Sequence, residues 1–240
     1  MVYPEAGEVV GVGSLIAEDV ARDGTVDRRR VRLAVSSPRA AASAVGLEST
    51  ERAERRARGQ IRRYAVVNGC TRLATLTRAD QTKDPATMRR DFAAFTRRLR
   101  GARPDLRWVR VFERHKSGAL HVHVGLSGYI DKGELARLWG HGFVDVRKFR
   151  AGGRRESARA AARYLSKYVS KEAVADPGEH RYEVRQGFGA RGVRVVSWSW
   201  DELLADARSS GYVSGDPVYV WDSATDPAWL GPPVTFAAFA

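Results

Sequence analysis

The segment 107–126, RWVRVFERHKSGALHVHVGL, constrains the fold more than any other part of the sequence. Apolar and polar residues alternate on both sides of KSG, which is the pattern of two antiparallel strands joined by a three-residue turn. A turn of that length places Glu113 opposite His121 and Val111 opposite His123. The apolar face of this hairpin carries Trp108, Phe112, Leu120, Val122, Val124 and Leu126. The other face therefore presents one carboxylate beside two imidazoles.

These three polar side chains are the candidate metal ligands of the chain. Two imidazoles and a carboxylate form a mixed nitrogen and oxygen donor set that suits a divalent ion. Three protein ligands leave coordination positions open, so that a metal ion can act on a substrate oxygen. The H-x-H pattern alone is weak, because histidines on an exposed strand often bind nothing. Glu113 opposite the histidines and the apolar second face strengthen the prediction.

The segment YLSKYVSK lies in a helix predicted over about 155–172. Helical spacing puts Tyr164, Lys167, Tyr168 and Lys171 on one stripe about 100° wide. A phenol beside a cation is a competent nucleophile, because the cation favours phenolate and stabilises phosphate charge. The alternative is an amphipathic helix with half-buried tyrosines and lysines that extend to solvent.

The net charge points to a polyanionic partner. The chain has 41 Lys and Arg against 28 Asp and Glu, a formal net charge of +13, and the basic residues concentrate between its acidic ends. Such a field attracts nucleic acid through phosphate neutralisation. Candidate phosphate contacts ahead of the tyrosine helix are Arg147, Lys148, Arg150, Arg154 and Arg155. A solvated loop explains each of these five residues equally well when it is taken singly.

Other patterns predict the remaining elements of an α+β fold. Strands are predicted at 73–77, 143–149, 180–184 and 193–198. Helices are predicted at 48–64, at 85–99 with Gly101 as its end, and at 132–139. The charged helix 48–64 is either solvated or a DNA-contacting arm.

Composition is ordinary for a globular protein, with 43% hydrophobic and 29% charged residues. No apolar run reaches the roughly 18 residues that span a bilayer, so we expect a cytoplasmic protein without a membrane partner. Cys70 is the only cysteine and is expected to be a small buried apolar residue. Three parts are predicted: an N-terminal extension with a basic, helical arm (1–60), a catalytic domain (61–200), and an acidic, proline-containing segment that packs irregularly on the domain or forms a tail (201–240).

Three motifs in sequence order carry a family resemblance. LATLT, FERHKSGALHVHVGL and YLSKYVSK resemble the motifs of the HUH endonucleases, specifically the rolling-circle replication initiator (Rep) proteins of plasmids and single-stranded DNA phages. The motifs span 73–171, with looser similarity over about 52–200, and as a set they are far more specific than any one alone. The paired tyrosines resemble the bacteriophage gene A type initiators, whereas single-tyrosine relatives keep only one.

The resemblance implies a role for each matched residue. His121 and His123 correspond to the metal-binding pair, and Glu113 looks like the third ligand of Mg²⁺ or Mn²⁺. Tyr164 and Tyr168 correspond to the nucleophiles, and we slightly favour Tyr168 as the first, because some initiators keep a tyrosine there and a carboxylate at the earlier position. Lysines three residues after each tyrosine correspond to Lys167 and Lys171. Thr75 and Thr77 lie in the first motif, whose role looks structural or DNA-contacting.

The fold that the resemblance implies is ferredoxin-like or RNA-recognition-like, with the hairpin at the centre of an antiparallel sheet and helices over one face. The implied activity is metal-dependent nicking and rejoining of single-stranded or hairpin origin DNA through a 5′-phosphotyrosine link. The sequence lacks G-x-x-x-x-G-K-[ST], so unwinding is expected from a host helicase, with a host DNA polymerase extending the 3′ end. Two alternatives stay open: a conjugative relaxase or single-strand transposase of the same superfamily, and a non-catalytic nucleic-acid-binding module.

Overall fold

The computed structural model of the protein describes residues 1–12, 16–20, 26–30, 42–170, 182–197, 199–227, 229 and 233–240. The elements in chain order are β1 (Val2–Tyr3), β2 (Glu8–Val12), β3 (Ile16–Val20), β4 (Val26–Arg30), α1 (Ala42–Asn68), β5 (Arg72–Arg78), α2 (Pro85–Ala102), β6 (Trp108–Arg114), β7 (Leu120–Leu126), α3 (Lys132–Trp139), β8 (Gly142–Lys148), α4 (Arg154–Ser170), β9 (Tyr182–Val184), α5 (Trp200–Ser209), β10 (Pro217–Asp222) and β11 (Val234–Phe239). They divide into two units, one comprising Ala53–Ala190 and the other Met1–Arg52 with Arg191–Ala240.

The unit Ala53–Ala190 is built on a five-stranded antiparallel sheet with the strand order β8-β5-β7-β6-β9. The α+β class with a central antiparallel sheet and flanking helices is confirmed. The hairpin β6–β7 has the predicted register, with Glu113 opposite His121 and Val111 opposite His123. The amide of His115 donates to the carbonyl of Ala119 at 2.8 Å and closes the turn.

Helices cover both faces of this sheet, so the expectation of helices over one face is wrong. On one face α2 and α3 bury their apolar sides, led by Phe92, Phe95 and Trp139, against the apolar face of the hairpin. On the other face α1 and α4 pack against Leu73, Val109 and Val111. The second face is polar only around the histidines. Its apolar remainder requires a second layer of helices to exclude water.

The helix ends follow local chemistry. The Asp84 carboxylate accepts hydrogen bonds from the amides of Ala86 and Thr87 and starts α2, with Pro85 in the first turn. Helix α2 continues to Ala102 through Gly101, which was predicted to end it, because no side chain or backbone crowds that position. Helix α3 has the predicted bounds and ends at Gly140 in the left-handed conformation.

The second unit contains a four-stranded antiparallel sheet with the order β1-β2-β11-β10, against which α5 packs. The expectation of irregular structure in 201–240 is therefore wrong, since β11 pairs with β2 from the other end of the chain. The proline cue misled because Pro217 starts a strand, a position where no ladder amide is needed. Val193 forms only an isolated bridge to Val2, and 194–197 form no strand, contrary to the prediction for 193–198.

Two further expectations concern burial and the membrane. Cys70 is fully buried, as predicted. Within the residues that the structure describes, no helix combines the length and the apolar character needed to cross a bilayer. The predicted boundaries at 60 and 200 stay a prediction.

Candidate active site

Two adjacent strands bring together the first and second sequence motifs. Strand β5 pairs with β7 so that Thr75 lies opposite His123 and Thr77 opposite His121. Strand β6 on the other side of β7 supplies Glu113. Residues paired across an antiparallel sheet point to the same face, so all five side chains share one face.

Hydrogen bonds orient both imidazoles. The Thr77 hydroxyl lies 2.8 Å from Nδ1 of His121, and the Thr75 hydroxyl lies 3.1 Å from Nδ1 of His123. Nε2 of His123 lies 2.6 Å from the Glu113 carboxylate. A hydroxyl can donate or accept, so each threonine holds its ring in either tautomer. Sequence analysis connected the threonines to the site only by resemblance; T-x-T and H-x-H share the two-residue spacing that pairing across strands requires.

Burial favours the neutral form of the first histidine. The pKa of His121 is lowered by burial and then by the neighbouring His123, while the Glu113 charge opposes the shift. His123 is only 4% exposed. A neutral imidazole with an outer hydrogen bond at Nδ1 is the form in which histidine binds a metal ion.

The fit to a divalent ion was judged from this donor set. In the described ranges no group of three or more His, Cys, Asp or Glu side chains already converges on a metal position. Glu113 and His123 instead bind each other directly. A metal ion displaces protons from its ligands, so an ion would replace the proton shared by this pair. The residue types, the common face and the threonine bonds fit a metal site that closes on binding.

Helix α4 carries the tyrosines onto the same face. Leu165, fully buried, packs in the cluster with Val109 and Leu73 and anchors the helix. Gly125, two residues after His123 in β7, permits this approach: a Cβ there would lie 2.9 Å from Cδ1 of Leu165 and 3.0 Å from Cγ1 of Val109. Sequence analysis missed Gly125, whose interruption of an apolar strand run is the cue for close approach of another element.

The two tyrosine rings surround His123. The ring of Tyr168 stacks on that of His123 at 3.9 Å between centroids and 13° between planes, and the Tyr164 ring meets it edge-on at 6.5 Å. The phenol rings lie 5.5 Å from each other. Burial raises the pKa of Tyr168, with further contributions from a hydrogen bond with Tyr164 and from the Glu113 charge.

Cations lie beside the more accessible tyrosine. Nζ of Lys167 is 5.4 Å from the ring centre of Tyr164, and the Arg147 guanidinium is 5.9 Å from it. Lys171 lies outside the described residues. Two of the four residues predicted on the stripe are thus aromatic neighbours of His123, and a third contacts Tyr164.

The other predicted DNA contacts are dispersed. Lys148 is in register with Arg72 on the face of the sheet away from the histidines. Arg154 lies at the start of α4, with its guanidinium 3.5 Å from the carbonyl of Asn68. Arg150 is exposed in the loop before α4, and Arg155 is half-buried. Of the five basic residues, the structure brings only Arg147 to the tyrosines.

The comparison with protein families covers this site. Residues 71–173 match the model of a family of replication-associated proteins, the ORF2 family. The matched range contains both histidines, Glu113 and both tyrosines, and it supports a replication initiator as the class of protein. No curated protein and no solved structure gives a significant match to the chain.

Proposed function

We propose that the protein is a rolling-circle replication initiator of the HUH type, which nicks and rejoins single-stranded or hairpin origin DNA by metal-dependent transesterification on tyrosine. One observation carries the proposal: two phenol rings on α4 lie against an imidazole that is itself paired with a carboxylate and held by a threonine. A purely structural tyrosine pair needs none of these polar neighbours. The match to a replication-associated family agrees with this reading.

Glu113, His121 and His123 would hold Mg²⁺ or Mn²⁺. When bound, the ion would draw electron density from the scissile phosphate and so ease attack on phosphorus. Thr75 and Thr77 keep the rings oriented through Nδ1. This leaves the Nε2 atoms as the donors.

The tyrosines supply the nucleophile. A phenol oxygen bonds to phosphorus while the bond from phosphorus to the 3′ oxygen breaks, and the proton lost by the phenol is balanced by the proton gained by the leaving 3′ hydroxyl. The product is a 5′-phosphotyrosine link and a free 3′ end that a polymerase extends. The second phenol, 5.5 Å from the first between ring centres, attacks the regenerated junction after one round. Lys167 and Arg147 stabilise the phosphate charge beside Tyr164.

Transfer of a DNA label to the protein tests this proposal. A library of randomised single-stranded DNA labelled at the 3′ end is incubated with the protein and Mn²⁺ or EDTA, then run on a denaturing gel. Cleavage that forms a 5′-phosphotyrosine leaves the 3′ label on the protein, whereas a 5′ label stays on free DNA. The captured sequences then report the origin preference.

Tyrosine variants complete the test. The double variant Tyr164→Phe with Tyr168→Phe should lose the labelled band, and the single variants should assign the order of attack. Tyr182→Phe, a half-buried tyrosine that packs in the same cluster, is the matched control and should keep it. A band that survives in the double variant would refute the mechanism. Salt-sensitive binding without any band would favour the binding module.

A further inference from the structure

Phe143 is an exposed aromatic side chain on the face of the sheet that carries the histidines. It lies in the edge strand β8, in register with Thr77, which in turn faces His121. Two strands therefore separate the phenyl ring from the His121 position on the same face. The side chain is 70% exposed.

Exposure alone says little, since single apolar residues are common on protein surfaces. The surroundings along β8 are more informative. Asp145 and Arg147 follow at two-residue spacing and share the face with Phe143, while Val144 between them is buried on the other face. Arg147 lies beside the ring of Tyr164. One strand edge thus presents an aromatic ring at one end and a guanidinium at the tyrosines, about 13 Å apart along the strand.

The sign of charge along this edge is suited to a single nucleic-acid strand. Arg147 attracts a phosphate, and Asp145 repels one, so the DNA backbone is directed toward the tyrosine end. A base that turns toward β8 then meets the open face of Phe143. Stacking of a base on an aromatic side chain is tolerant of sequence, because every base has a π face.

We propose that Phe143 is a nucleobase-stacking site that holds the single strand along β8 while its phosphate lies at Arg147. This inference deepens the proposed function and rests on it for the identity of the substrate. The ligand class is an unpaired base of single-stranded DNA.

Binding of a fluorescein-labelled single-stranded 20-mer of random sequence, followed by anisotropy in EDTA over a series of NaCl concentrations, tests the site. Phe143→Ala should bind about tenfold more weakly at every salt concentration, with the salt slope unchanged. Phe143→Trp should bind like the wild type, because it keeps a stacking surface. Arg147→Gln should instead lower the salt slope by about one.

Tyr129→Ala is the matched control. Tyr129 is 66% exposed in the same unit, and its cationic neighbour Arg72 lies on the opposite face of the sheet. This variant should bind like the wild type. Thermal unfolding of each variant checks the fold, which an exposed side chain should not affect.

Three results would overturn the site: Phe143→Ala within twofold of the wild type, an equal loss in Tyr129→Ala, or no binding of the 20-mer by the wild type. The label-transfer assay separates this failure from that of the proposed function. A wild type that forms the adduct, together with unimpaired Phe143→Ala, would sink the stacking site alone. Weakened binding by Phe143→Ala in a protein that forms no adduct would keep the stacking site and refute the nickase.

Discussion

Gly125→Ala should push the tyrosine helix away from the histidines. The new Cβ would lie 2.9 Å from Leu165 and 3.0 Å from Val109, whereas carbon atoms in contact prefer about 3.5–4.0 Å. Both neighbours are fully buried, so neither side chain has free space to enter. Relief requires a shift of roughly 0.5–1 Å between α4 and β7.

This overpacking should lower the free energy of unfolding by about 1–3 kcal/mol. The melting temperature should fall by roughly 4–12 °C for a unit of this size. Since the tyrosines flank Leu165 on α4, the same shift displaces them from His123. A displacement near 1 Å should slow adduct formation on the order of 100-fold.

Thermal unfolding and the label-transfer assay measure the two effects separately. Gly101→Ala is the matched control: it lies in α2 with nothing within 4 Å of its added Cβ, so it should be neutral or stabilise by up to about 1 kcal/mol. Adding Leu165→Val to Gly125→Ala should restore part of both losses, because it removes the carbon that collides. Wild-type melting and wild-type adduct rates in Gly125→Ala would refute the reasoning.

Three further predictions concern the metal, the cysteine and the substrate. Thr77→Val, which keeps the branched shape but removes the hydroxyl bound to His121, should weaken Mn²⁺ binding in calorimetry by about 10- to 100-fold, and Thr77→Ser should restore most of it. An equal effect of both variants would contradict this role. Burial raises the pKa of the Cys70 thiol to about 12, so iodoacetamide at pH 8 should label only unfolded protein; rapid labelling of folded protein would disprove the burial argument. EDTA should abolish the adduct yet leave salt-sensitive DNA binding intact, and an adduct formed in EDTA would remove the metal from the mechanism.

The hairpin and the tyrosine stripe could be predicted because each depends on local spacing. Alternation and a three-residue turn determine which residues of β6 and β7 face each other, and the observed pairing of Glu113 with His121 agrees. The helical repeat likewise puts Tyr164 and Tyr168 on one side of α4 in any fold that keeps the helix.

Pairing between distant segments was beyond such reasoning. The 201–240 segment carries turn-forming prolines, yet its strands complete a sheet with β2, because a strand partner far away in sequence supplies the backbone hydrogen bonds. Gly125 and Phe143 had no recognisable role in the sequence, since their neighbours Leu165 and Thr77 are brought to them only by packing and by strand order.

The sequence by itself determined the donor set, its register on the hairpin and the spacing of the two phenols, because short-range periodicity controls which side chains share a face. Only the tertiary structure decided that β5 lies beside β7, so that threonine hydroxyls hold both imidazoles, and that α4 packs on the histidine face. The physical reason is that these arrangements minimise exposed apolar surface over the whole unit, a quantity to which every element contributes and which no single segment encodes.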